Sequence, residues 1–96
     1  MKRLPVYLII LIFLIAFSDP KAVITGKITT REGKPLVRGV VEIGGEYDFT
    51  DLKGNYRIKD VPYGNQILLV ISSGDTLRKI RTRVEKPHHR ISVSVP

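Results

Sequence analysis

The chain has 96 residues, no cysteine and no tryptophan, with 16 Lys/Arg against 9 Asp/Glu and a net charge of +7. That length allows one small domain, and the missing cysteines exclude a disulfide framework, a thiolate metal site and a lipid-modified cysteine anchor. Stability must come from strand pairing and an aliphatic core, since a domain this small buries only roughly 60% of its unfolded surface.

Lys2 and Arg3 precede an uncharged run from Leu4 to Ser18 that is almost wholly apolar from Val6 to Phe17. As a helix at ~1.5 Å per residue, Leu4 to Phe17 would rise about 21 Å, short of the roughly 30 Å of a bilayer core. The pattern reads as the apolar region of a signal peptide. Ala16-Phe17-Ser18 offers small residues at the −3 and −1 positions of a cut before Asp19. The alternatives are an uncleaved, tilted anchor and a buried core helix. Either export reading places the rest of the chain outside the cytoplasm, secreted or membrane-anchored, and an exported chain without cysteine points to a prokaryotic source. The expected organisation is residues 1–18 as signal peptide or anchor, 19–22 as a linker and 23–96 as one domain.

Beyond that segment the apolar period is two. Val23 to Thr30 reads as a first strand with Ile24, Gly26 and Ile28 on one face, followed by a turn cluster that includes Gly33 and Pro35. Gly39 to Ile43 is the second strand, ended by Gly44-Gly45, and Glu46 to Thr50 is the third, with Tyr47 and Phe49 sharing a face. Asp51-Leu52-Lys53-Gly54 turns into strand four, Asn55 to Lys59, whose Tyr56 and Ile58 point inward. A loop is expected from Asp60 to Asn65. Gln66 to Ser72 is the fifth strand, Thr76 to Glu85 the sixth, and Arg90 to Val95 the last. No helix is expected after Asp19. Turn signals about every eight to twelve residues predict an all-β sandwich of about seven strands.

Five pieces occur in order: Gly26-Lys27-Ile28, Gly33-Lys34-Pro35-Leu36, Val41-Glu42-Ile43, Thr50-Asp51-Leu52-Lys53-Gly54-Asn55-Tyr56-Arg57-Ile58 and Val61-Pro62-Tyr63-Gly64. Together they resemble the carboxypeptidase regulatory-like domain, a transthyretin-like, carbohydrate-binding-like fold. The resemblance implies a Greek-key sandwich and a structural or binding module without catalytic residues. Each piece also has a local rationale. Asp51 can accept backbone N–H groups in its turn, Gly54 can turn left-handed, and Pro62 with Gly64 makes a second corner. Arg38-Gly39 stands where the family often has Gly-Ala, and Gln66 where it often has an aromatic residue, which should weaken the core there unless Tyr63 fills the space.

Catalytic signals are missing: there is no Gly-x-Ser-x-Gly elbow, no His-Glu-x-x-His and no phosphate-cradling loop. The expectation is a protein that is not an enzyme and that uses no cofactor or metal. His88-His89 reads as a solvated loop pair, because neighbours on an extended chain point to opposite faces. Asp48, Asp51 and Asp60 lack the alternation of a calcium loop, and turn capping suits Asp51 better.

Charge is the sharp asymmetry. Residues 19–75 are neutral, whereas residues 76–96 carry six Lys/Arg and one acid, Glu85. Arg78, Lys79, Arg81, Arg83 and Arg90 form a candidate stripe for an anionic ligand within residues 78–90; the bland reading is a solvated strand face that discourages edge aggregation. If Leu68 and Val70 face the core, Ile67, Leu69 and Ile71 form an apolar outer face, either covered by another segment or open to a partner. The leading expectation is a non-catalytic extracytoplasmic scaffold or protein-interaction module, bound to an envelope protein or a second copy of itself. The alternative is a module for a glycan or an anionic lipid surface, with Tyr47 or Tyr63 stacking on a sugar. Nucleic acid is disfavoured, and membrane contact would run through residues 4–17 if they are retained.

Overall fold

The computed structural model describes residues 20–96; the apolar run 4–17, with its signal, anchor and helix readings, lies outside the described residues. The described residues form eight strands: β1 (Lys21–Thr29), β2 (Val40–Ile43), β3 (Glu46–Phe49), β4 (Asn55–Pro62), β5 (Gly64–Ser72), β6 (Asp75–Val84), β7 (His88–Arg90) and β8 (Val93–Ser94). They make two stacked sheets. The first has the order β4-β1-β7, with β8 also on β1, and the second has the order β3-β2-β5-β6. The chain crosses between sheets four times, so β1 pairs with β4 and with the C-terminal strands rather than with β2. This is an all-β Greek-key sandwich.

The alternation of side chains explains the layers. In β1 the even-numbered residues from Ala22 to Ile28 are buried and the odd ones face out. Ile58 and Val61 of β4, Val41 and Ile43 of β2, and Leu68 and Val70 of β5 meet them from the neighbouring strands and the opposite sheet. Val84, Val93 and Val95 close the core near the C-terminus. Burying this many aliphatic side chains is the main driving force available to a chain without cross-links.

Four expectations change. Lys21 and Ala22, expected in a linker, already belong to β1, and Ala22 is buried in the core. The expected loop from Asp60 to Asn65 is mostly strand: β4 runs on to Pro62 and β5 starts at Gly64, leaving Tyr63 alone between the sheets. Two β4 residues, Lys59 and Asp60, stand against the single Val23 of β1, and Asp60 takes a left-handed φ of 59°. This bulge keeps Val61 on the core face while the strand bends toward the other sheet.

His88-His89 is not a loop pair but part of β7, in parallel register with Val23 and Ile24. The two rings take opposite faces as the alternation requires. His88 Nε2 lies 2.9 Å from Thr25 Oγ1, while His89 Nε2 accepts the backbone N–H groups of Glu85 and Lys86 at 3.1 and 3.0 Å.

The single last strand is two short ones, and Gly26 is the reason. β7 and β8 keep one register along β1, from Val23 against His88 to Thr29 against Ser94, with a break at Ile91–Ser92. A Cβ on Gly26 would collide with the Ile91 carbonyl and the Tyr56 ring, so that carbonyl occupies the space a side chain would need. There it accepts the Tyr56 hydroxyl. The Lys27 amide finds Ser92 Oγ at 3.2 Å. Tyr56 is nearly fully buried opposite Gly26. Desolvation pushes its phenol well above the ordinary tyrosine value, with the Arg90 cation pulling it partly back.

Candidate functional site

The turns place their residues as follows. Asp51 Oδ1 accepts the Lys53 and Asn55 amides, each at 2.9 Å, and Gly54 has a φ of 80° with no room for a Cβ beside the Ile28 carbonyl. Asp48 Oδ2 accepts the Arg57 amide at 2.8 Å. These carboxylates serve backbone donors, and among the described residues no three His, Asp or Glu side chains gather as a metal site. Gly33 turns the 30–34 loop, with the Thr30 amide on the Lys34 carbonyl, and Pro35 bridges to Thr29. Pro62 ends β4, and Gly64 opens β5 with a φ of 111°. At that corner Gln66 Nε2 donates to the Pro62 carbonyl at 3.2 Å, and Tyr63 packs against the core.

The outer face of the second sheet gathers two features that the chain order keeps apart. Leu68 and Val70 are fully buried, so Ile67, Leu69 and Ile71 point away from the core. Across the β5–β6 ladder, Ile67 stands opposite Arg81, Leu69 opposite Lys79 and Asn65 opposite Arg83. Directly opposed residues share a face, so the apolar row and the three cations form one surface. It continues across β2 to β3, where Glu42 pairs with both Leu69 and Tyr47, and Val40 with both Ile71 and Phe49. The Tyr47 and Phe49 rings are 61% and 59% exposed and meet edge to face, with centroids 5.8 Å apart. Ile67 is 42% exposed between them and the cations. Nothing in the chain order marked Tyr47 and Phe49 as partners of this surface; only the pairing of β3 with β2 brings them there.

Arg78 and Arg90 do not join it. Arg78 pairs with Val70, a core-facing residue, and the ladder slips between Val70 and Ile71, so Arg78 is out of phase with the stripe. Arg90 lies on the other sheet, beside Thr25. Of the three cations on the face, Arg83 pairs with Glu85 at 3.4 Å, both side chains well exposed, a contact of small energetic consequence.

Arg90 belongs instead to the outer face of the first sheet. Its row there is Arg57, Thr25 and Arg90 across β4, β1 and β7. Lys21, Lys27 and Lys59 occupy neighbouring outward positions, and the one carboxylate exposed on β1, β4, β7 and β8 is Asp60, beside Lys59 at the β4 bulge. The asymmetry read in chain order, a neutral N-terminal part and a basic C-terminal part, becomes in three dimensions one cationic face and one mixed apolar and cationic face.

No protein-family model matches the chain, and no curated protein matches it. Among solved structures it is similar to a chain in the crystal structure of a type II cohesin–X-dockerin complex from Acetivibrio cellulolyticus, a C-terminal interface mutant. The TM-score is 0.58 at 27% identity, over 75% of this chain and 52% of that one. This chain thus spans about half the length of the one it matches. The likeness and the two stacked sheets agree on the class of protein: a β-sandwich module.

Proposed function

We propose that this chain is a non-catalytic, extracytoplasmic protein-interaction module whose docking surface is the outer face of β3-β2-β5-β6. In this reading residues 1–18 export or anchor the chain and the sandwich begins at Lys21, with the turns of a carboxypeptidase regulatory-like domain. One observation carries it: Ile67, Leu69 and Ile71 share a face with exposed Tyr47 and Phe49 and with Lys79, Arg81 and Arg83. An apolar and aromatic centre beside charged residues is the usual anatomy of a protein interface. The partner that fits is a protein with an apolar patch flanked by carboxylates. That the similar solved chain comes from a protein–protein complex, a cohesin with an X-dockerin, supports this reading.

Sedimentation and capture from an envelope fraction test it. Leu69→Glu should abolish self-association, or capture of a partner, while leaving the thermal midpoint nearly unchanged. A monomeric wild type that retains nothing beyond what Leu69→Glu retains would remove the proposal. The glycan reading gains less support: the Tyr47 and Phe49 rings are perpendicular, so they offer no shared flat platform for a sugar chain.

A further inference from the structure

The geometry points to the outer face of β4-β1-β7 as a docking surface for an anionic lipid bilayer, on which the sandwich lies flat with its interaction face turned away. It rests on the reading that residues 4–17 stay in the membrane, and goes beyond it by assigning an orientation and a lipid class.

Lys21, Lys27, Arg57, Lys59 and Arg90 project from this face and make no side-chain ion pair among the described residues; the carboxylates beside them are Asp60, exposed next to Lys59, and Asp48, which accepts the Arg57 amide. A shallow depression of about 260 Å³ between Lys27 and Arg90 is lined by Thr29, Ser92, Val93 and Ser94, three of them hydroxyl-bearing. Cations beside hydroxyl donors are the chemistry that receives phosphate oxygens. The opposite face differs in carrying Ile67, Leu69, Tyr47 and Phe49 beside its cations, with Glu42 among them.

The position of the tether sets the distance. The apolar run ends at Phe17 and β1 starts at Lys21. Three extended residues reach only roughly 10 Å, close to the Debye length of about 8 Å at physiological salt. Lys27 lies roughly 20 Å further along β1 at ~3.3 Å per residue. If the strand stood upright, Lys27 would be screened from the headgroups. With the sheet lying flat, all five cations come within reach of the negative surface potential. Electrostatics therefore selects the flat orientation.

The absence of cysteine makes the test clean, because a single introduced thiol takes the label. The full chain carrying an environment-sensitive dye at Ser94→Cys is reconstituted into phosphatidylcholine vesicles, with and without phosphatidylglycerol. A second preparation carries the dye at Ile67→Cys on the other face. The expected result is a blue shift at position 94 only on the anionic vesicles, reversed by salt. It should be lost in Lys27→Glu/Arg57→Glu/Arg90→Glu and kept in Lys79→Glu/Arg81→Glu/Arg83→Glu. An equal shift on neutral vesicles, a shift at position 67 instead, or survival in the first triple variant overturns the proposal. An alkaline carbonate wash separates the two failures. Release of the chain sinks the membrane reading of residues 4–17 and this proposal with it; retention without an anion-dependent shift sinks the orientation alone.

Discussion

The two sheets solve the same problem with different outer faces. The β3-β2-β5-β6 sheet is wholly antiparallel, and its long hairpin of β5 and β6 is closed by adjacent sequence. The β4-β1-β7 sheet has no hairpin at all, and β1 is held by an antiparallel partner on one side and parallel partners on the other. The first exposes Ile67, Tyr47 and Phe49 to solvent, whereas the second exposes lysine, arginine, threonine and serine, with Asp60 at its bulge. A sandwich needs only its inner faces to be apolar. The apolar outer face of one sheet is therefore surplus to folding, which is why it directs attention to a partner.

The largest effect should come from the sheet without hairpins. Gly26→Ala drives a methyl group into the Ile91 carbonyl and the Tyr56 ring, and should cost about 4 kcal/mol in urea unfolding, the range reserved for core clashes. An unchanged midpoint would show that β7 and β8 can slide off β1. The next effect separates the inner face from the outer on one strand. Leu68→Ala should cost about 3 kcal/mol, because Leu68 is fully buried. Leu69→Ala, one residue on and pointing outward, should cost under about 1 kcal/mol. Equal losses at the two positions would mean that the outer face is covered within the folded chain.

Tyr56→Phe should cost about 1–2 kcal/mol by leaving the Ile91 carbonyl without its donor. It also has a pH signature. The folded state holds the phenol proton more tightly than the unfolded state, so its contribution is complete below about pH 10, the ordinary tyrosine value. That contribution is lost as pH rises above that point. Wild type should lose stability faster than Tyr56→Phe in alkaline urea titrations, and parallel curves would refute the assignment. The smallest effect should be a gain. Arg38 has a left-handed φ of 59°, so Arg38→Gly should raise stability by up to about 1 kcal/mol. A loss there would show that the arginine side chain holds the loop.

The legible parts of this fold were those written in neighbouring residues. Alternation identified the buried set of β1 and β5, and the Asp51–Gly54 turn is closed by bonds over two to four positions. The break at Ile91 was not legible, because its cause is Gly26, distant in the chain and adjacent only once β1 and β7 pair. The continuation of β4 through Asp60 was hidden for the opposite reason: a Pro and Gly corner looks like a loop, while the bulge lets pairing continue to within one residue of it. The same limit governs the surface. Spacing put Lys79, Arg81 and Arg83 on one side of a strand, but which sheet receives Arg90, and that Tyr47 and Phe49 lie across from Ile71 and Leu69 by way of β2, depends on strand order.

The parallel register of β1 with β7 and β8 has a mechanical consequence. Residue 21 begins β1 at one end of the sheet, and residue 96 follows β8 at the other, with the two segments side by side and pointing the same way. Tension between those points runs along the strand axes. The amides of Val23, Ile91 and Val95, bonded to the carbonyls of Pro87, Thr25 and Thr29, would then yield together in shear rather than unzip singly. A module held at one end and pulled at the other would carry load across its own closing seam.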